Sequence, residues 1–449
     1  MKPNYDTVIV GAGYAGLTAA QTLTRAGQKV KVVEARDRIG GRVHTHRIDD
    51  RTYVDLGAQW IGPTQDKIYE LADQYGVETF QTYNQGKNQL LLDHKLKSYR
   101  GLIPKIDFLS LLNLDRVMHR LDRLAKTIDL EDLTNTPDAQ ALDRQSLCGF
   151  LDQHAHFRNA RKILDAALET VLAVTASEIS LLYALFYIKS GTDLRTLLEI
   201  DQGAQQDRFV GGAQRILDHM AEELGDIIEL DSPVRSIEQS DQQVTITGHG
   251  FRHTCRKVIV AIPPTLAGRI HYSPALPPLR DQLTQRMPAG TVIKCYAIYD
   301  RPFWREQGFS GQVVTDESSP IQTVFDNSPA DSSTGMLMGF SLANRARKLV
   351  KLSESERRRV VIKEFERFFG PNAAKPIHYI DRCWADEIWS RGCYAGILPP
   401  GSVVGYIDAI RQRCGNIHWA GTETATVWNG YMDGAIRSGQ RAAAEVLEV

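Results

Sequence analysis

A chain of 449 residues, 43% apolar and 24% charged, can bury more than one core and has the make-up of an ordinary enzyme. Its formal charge of −1 leaves no basic footprint for nucleic acid or an anionic membrane. Six scattered cysteines, Cys148, Cys255, Cys295, Cys383, Cys393 and Cys414, form neither a disulfide framework nor a metal-binding spacing, so a reducing cytoplasm is expected and no metal. The first strand begins almost at once, which leaves no room for a signal peptide, and no apolar run is long enough to span a bilayer.

The first element is the apolar run Val8-Ile9-Val10, followed by Gly11-Ala12-Gly13-Tyr14-Ala15-Gly16. A small-residue helix over 17–26 and a second apolar strand, Val30 to Val33, come next, closed by Glu34. This order predicts a dinucleotide fold. Gly11 permits a tight turn, Gly13 lets a pyrophosphate approach the backbone, and Gly16 lets the helix pack on the strand. The phosphates would sit on the positive end of the helix, and Glu34 stands where an acid accepts hydrogen bonds from a ribose. Glu34-Ala35-Arg36 then leads to Gly40-Gly41-Arg42, a second glycine pair suited to closing over the pyrophosphate of a tightly held flavin dinucleotide. The whole run resembles the opening of the FAD-dependent amine oxidase superfamily, which includes monoamine, polyamine, amino-acid and protoporphyrinogen oxidases.

Tyr53-Val54-Asp55 reads as a short strand running into a Gly/Pro loop. The resemblance sets this loop beside the flavin ring, giving Gln59 and Trp60 a role there; Trp60 suits a buried core equally well. From about 77 to 201 the pattern is mostly helical, with an apolar face through Phe108, Leu109, Leu111, Leu112, Leu114, Val117, Leu121 and Leu124. Leu172, Leu198 and Gln205 match positions that line the substrate cavity of monoamine oxidases. A helix beginning after Phe209 and ending near Gly225, two β-rich runs and the strand 256–262 return the chain to the nucleotide sheet, with Val234 at the adenine position of the relatives. Strands at 292–299, 311–315, 322–326 and 336–340 and a helix over 354–369, with Ser353 and Glu356 at capping-box spacing, build a second unit. The closing segment carries Gly421-Thr422-Glu423, similar to the family's second FAD signature. Gly430-Tyr431-Met432 follows, where helix-start amides suit the flavin's carbonyls, and then a helix over 435–447.

The resemblance also assigns chemistry. Cys393, in Gly392-Cys393-Tyr394, stands where monoamine oxidases join a cysteine to the flavin through a thioether. A free buried cysteine is otherwise an inert small hydrophobe. Tyr394 and Tyr431 match the two tyrosines that flank the amine in front of the flavin, and Trp384 matches an aromatic packed by its ring. Lys294 lies inside an apolar strand, where it either alternates to solvent or, as in the family, holds a water against the flavin and stabilises negative charge.

The expected architecture is α+β with α/β character: a Rossmann-like FAD-binding domain and a discontinuous substrate domain of one sheet plus helices. The expected boundaries are 1–76, 206–265 and 391–449 for the first domain, and 77–205 and 266–390 for the second. The implied activity is oxidation of a primary amine to an imine, with oxygen reduced to hydrogen peroxide and the imine hydrolysed to aldehyde and ammonia. The membrane helix of mitochondrial relatives is absent from the sequence, which closes on a polar helix, and a homodimer is compatible with it. The alternatives are a diamine or polyamine oxidase and a non-catalytic FAD-binding scaffold. A distal ammonium needs a deep acid; the matching wall residue, Thr323, is neutral, and Glu199 is the one acid nearby. Amino-acid oxidases fit less well, because the Gln59-Trp60 loop lacks a carboxylate-binding arginine.

Overall fold

The computed structural model describes residues 3–49, 52–101 and 104–448; Val449, at the end of the expected closing helix, lies outside them. Tyr5–Val10 is apolar and fully enclosed from Thr7 onward, so it takes the middle of a sheet with parallel partners on both sides, Val30–Val33 and Arg252–Val260. Ile228–Glu229 extends one edge; Val244–Gly248, Val234–Gln239 and His271–Ser273 extend the other, and Ile417–Trp419 pairs with the end of Arg252–Val260. The helix Tyr14–Arg25 covers this sheet and starts three residues earlier than its pattern suggests, with Gly13 as N-cap. Beside it lies the closing helix, Met432–Leu447, which absorbs Gly434 into its first turn.

A second, seven-stranded sheet runs in the order His378–Cys383, Val292–Tyr299, Gly335–Leu342, Thr323–Asp326, Phe309–Thr315, Lys87–Leu92 and Lys95–Tyr99. The helix Glu354–Phe369 packs under it, and Ser353 and Glu356 form the expected capping box. The two strands at Lys87–Leu92 and Lys95–Tyr99, together with Thr79–Gln81, correct the reading of 77–201 as mostly helical. Lys87–Leu92 is a strand because it pairs with Phe309–Thr315, a partner far along the chain that no local pattern reveals.

Helices fill 108–198. On Phe108–Lys126 the buried positions are Ser110, Asn113, Val117, Leu121 and Ala125, while Phe108, Leu109 and Leu112 are exposed. The expected apolar face is therefore rotated in its first turns. Asn113 belongs inside because its side-chain amide donates to the His154 carbonyl at 2.8 Å. No helix among the described residues is long and apolar enough to cross a membrane.

Candidate active site

One cavity of about 530 Å³ runs between the two sheets and the helices. At one end it is walled by Gly11, Gly13, Glu34, Ala35, Arg36, Gly41, Arg42 and Val234, and at the other by Lys294, Trp384, Cys393, Tyr394, Tyr431 and Met432. Gln59, Trp60, Leu198, Gln205 and Gly421 also line it. Residues widely separated in sequence thus meet around one continuous space.

The nucleotide end is built from backbone. The helix at Tyr14 has no acid in its first turn and no side-chain cap, so its positive end is left for an anion. A Cβ on Gly13 would meet only the Gly40 carbonyl, at 3.7 Å, so this position opens to the cavity, whereas a Cβ on Gly16 would lie 1.9 Å from the Gly11 carbonyl oxygen. Gly16 therefore serves packing and does not itself line the space. Glu34 is buried; its Oε2 accepts from the Ala12 amide at 2.8 Å and its Oε1 from the Arg36 amide at 3.0 Å. Two carboxylate oxygens offer about four acceptor sites, so a ribose can still be held. The buried Arg36 donates to Ser390 Oγ at 2.8 Å, and its Nε makes no hydrogen bond, its nearest carboxylate oxygen being Glu387 Oε1 at 3.9 Å. A glycine cradle, an uncapped helix end and a buried guanidinium with a spare donor fit a dinucleotide pyrophosphate.

Glu423 corrects an expectation. It does not line the cavity but lies 1% exposed behind it, gripping Arg42 through two bonds of 2.6 and 3.0 Å. The same carboxylate accepts from the Gly396 amide, and Arg42 donates to the Tyr394 carbonyl at 2.9 Å. One buried acid thus ties the Gly40–Arg42 loop to the Cys393–Gly396 segment. The Arg42 guanidinium holds the Glu423 carboxyl below its ordinary range against the opposing effect of burial.

At the other end, Lys294 is 2% exposed, which settles the alternation question against solvent. Its Nζ donates to the Asp55 carbonyl (2.6 Å), the Gly57 carbonyl (2.8 Å) and Gln59 Oε1 (2.5 Å). Burial drives its pKa down to about 7, with Asp55 opposing the fall. Trp384 is pinned by a 2.9 Å bond from its indole N–H to the Leu56 carbonyl. Tyr394 and Tyr431 stay partly accessible because both face the cavity, and burial raises the pKa of each, keeping the phenols neutral. Cys393 sits beside them, its thiol pushed up to about 12 by burial with Arg42 opposing. It is therefore a protonated thiol at neutral pH rather than a ready thiolate.

Two expected pocket residues are displaced. Leu172 ends its helix buried in the helical core, while its neighbours Thr170 and Val171 face the cavity. Thr323 is sealed behind Phe340, the residue it pairs with across the sheet, and Phe325 and Phe340 form the wall instead. Tyr187 went unnoticed in the sequence because it sits in a uniformly apolar helix. It lines the cavity, and its ring centroid lies 6.2 Å from that of Tyr431. Gly430 next to Tyr431 was the available signal: a Cβ there would fall 2.8 Å from the Tyr187 hydroxyl.

A dinucleotide cradle opening onto an enclosed aromatic chamber, with a buried lysine in its wall, defines a nucleotide-dependent oxidoreductase. Residues 14–447 match the model of the flavin containing amine oxidoreductases, and the chain belongs to that family. It is 39% identical over its whole length to a probable flavin-containing monoamine oxidase A of Dictyostelium discoideum, of which it covers 98%. It is 40% identical to a putative flavin-containing monoamine oxidase of Mycobacterium tuberculosis, over 98% of this chain and 96% of that one. Among solved structures, putrescine oxidase bound to putrescine superposes with a TM-score of 0.95 at 33% identity, over 99% of both chains. A variant of that enzyme with cysteine in place of an alanine is described as a redesign of its cofactor binding. The protein is a flavin-containing amine oxidase, and its dinucleotide is FAD.

Proposed function

We propose that the protein oxidises primary monoamines with an apolar, arylalkyl body, using oxygen as acceptor. The observation that carries this reading is the charge of the chamber. Glu34, at the nucleotide end, is the sole carboxylate among the described residues that line the cavity, and none of those at the amine end can pair with a second ammonium. Glu199 is outside the lining and is committed to an ion pair with Arg195. Trp60, Tyr187, Leu198, Phe325 and Phe340 supply the apolar wall.

Bound FAD would supply the two-electron oxidation: with the hydride of an α C–H and the proton of an N–H transferred to oxygen, amine and oxygen give imine and hydrogen peroxide. The chain's own residues position the amine. Tyr394 and Tyr431 offer neutral aromatic faces that orient an uncharged amine and exclude water. Lys294, in its ammonium form, presents positive charge where negative charge develops. Arg42 and Glu423 lock the segment that carries Tyr394.

A peroxide assay over an amine panel tests the substrate class: benzylamine and 2-phenylethylamine are expected to exceed putrescine and spermidine in kcat/KM by about tenfold or more, the weight of an unpaired ammonium buried in an apolar site. Higher efficiency with putrescine would move the chain to the diamine oxidases.

Covalent attachment through Cys393 belongs to the same reading. Gly392 has φ +137°, and a Cβ on it would lie 2.5 Å from the Gly290 carbonyl, so a residue without a side chain lets Cys393 reach the chamber. Because the thiol is protonated, attachment has to be coupled to loss of its proton. Acid-precipitated protein is expected to keep flavin in the pellet and Cys393→Ala to release it; a colourless wild-type pellet from fully loaded protein refutes the linkage. The six free cysteines support a reducing compartment, and we retain the five-segment, two-domain division as a working description.

A further inference from the structure

The charge state of Lys294 is decided by its neighbours. Its Nζ meets three oxygens, and only an ammonium has three hydrogens to give them. A neutral amine would turn its lone pair on one of the three. Two of these oxygens are backbone carbonyls, which cannot change character. The third, Gln59 Oε1, belongs to an amide that could instead present its NH2 group. One contact opposes that: Gln59 Nε2 donates to Asn327 Oδ1 at 2.7 Å, while the Tyr296 hydroxyl, with a single hydrogen, stands 2.8 Å from the same Oε1 and 2.6 Å from the Asp55 carbonyl. Gln59 is 2% exposed and Asn327 5%, so water does not compete. The Asn327 backbone is anchored, its N–H donating to the Met336 carbonyl at 2.7 Å and its main-chain carbonyl accepting from the buried Arg208 at 2.9 Å.

The other groups facing Lys294 pull in opposite directions. The Asp55 carboxylate, held by Thr45 Oγ1 at 2.5 Å and the Ala213 amide at 3.1 Å, favours the cation, and Arg208 opposes it. Cys393 and Tyr296 are neutral as thiol and phenol. Trp60, Tyr296 and Phe340 turn ring faces to the ammonium, with centroids 5.8, 5.5 and 5.7 Å away.

We propose that Gln59, oriented by Asn327, is a positioning residue that favours the ammonium form of Lys294 against the cost of burial. This rests on the flavin-facing role given to Lys294 above. It predicts a device in which a neutral amide, not a carboxylate, supports the charge of the chamber wall. A carboxylate in its place would cancel the cation that the chamber presents.

The test compares the holoenzyme with Gln59→Met and Asn327→Leu. Lysine-¹⁵N NMR of the Nζ group, assigned with Lys294→Met, reads the charge state directly and independently of turnover. The wild-type signal is expected to pass from ammonium to amine with a midpoint of about 7. In Gln59→Met the midpoint is expected to fall by about one pH unit or more, the weight of one hydrogen bond to a charged group. Flavin reoxidation in stopped flow should slow with rising pH in both proteins, the fall setting in about one pH unit lower in the variant. Asn327→Asp, which still accepts from Gln59, should restore the wild-type profile, whereas Asn327→Leu should reproduce the Gln59→Met profile. Wild-type titration of Lys294 in both Gln59→Met and Asn327→Leu overturns the proposal, as does a uniform, pH-independent loss of reoxidation rate. Should Lys294→Met reoxidise at the wild-type rate, the role of the lysine fails, while the NMR titration still judges Gln59.

Discussion

At the nucleotide end of the cavity the wall is glycine backbone, a helix terminus, Glu34, whose bonds come from backbone amides of its own strand–helix–strand unit, and Arg36, which reaches Ser390. At the amine end it is side chains drawn from the two ends and the middle of the chain: Gln59 and Trp60, Tyr187, Lys294, Phe340, Tyr394 and Tyr431. The first arrangement binds by presenting dipoles that helix and turn geometry orient automatically. The second excludes water and must satisfy every polar atom with a distant partner, as Gln59, Asn327, Tyr296 and Lys294 do for one another. A backbone cradle is thus robust to most side-chain changes, while the chamber depends on individual atoms.

The joint between the two ends should be the most sensitive point. Glu423→Gln leaves Arg42 in a buried setting without its counter-charge, and a loss of about 3–5 kcal/mol is expected in chemical denaturation of the holoenzyme. The pH dependence checks the cause. The Glu423 carboxyl is held below its unfolded value, so its contribution is complete above the unfolded pKa and disappears as pH falls through the lower folded value. The wild type should therefore lose more stability than Glu423→Gln as the pH falls below about 4.5, and parallel acid limbs would contradict the pairing.

The cradle yields only where backbone meets backbone. Gly16→Ala puts a methyl group 1.9 Å from the Gly11 carbonyl and should cost about 1–3 kcal/mol with a loss of flavin content, read from the ratio of flavin to protein absorbance. Gly27→Ala, at φ +82° with open space around the new methyl, should cost about 1 kcal/mol and leave flavin content unchanged. Equal flavin loss in both variants would remove the close approach as the explanation.

The smallest expected effect is in the chamber. Tyr187→Phe keeps the ring and removes a hydroxyl from the chamber wall beside Tyr431. A fall in kcat/KM of about tenfold or less, the weight of one net hydrogen bond, is expected with unchanged flavin content. An unaltered kcat/KM would show that the chamber uses only the ring of Tyr187.

The sequence by itself determined whatever local geometry enforces. The Gly11–Gly16 turn, the acid at Glu34, the strand Val292–Tyr299 and the capping box at Ser353 are consequences of glycine conformation, residue period and short-range hydrogen bonding, and each lies where its pattern indicated. Tertiary structure alone decided what depends on distant partners. Lys87–Leu92 is a strand because Phe309–Thr315 lies alongside it, and Val171 rather than Leu172 faces the cavity because the helix is rotated by its packing. Glu423 serves Arg42 instead of the cavity, and Thr323 is sealed off behind Phe340. Lys294 could have alternated to solvent on pattern alone. It is buried because strands pair on both sides of its own, and it remains bonded there because Asp55, Gly57 and Gln59 converge on its nitrogen from a loop more than two hundred residues earlier.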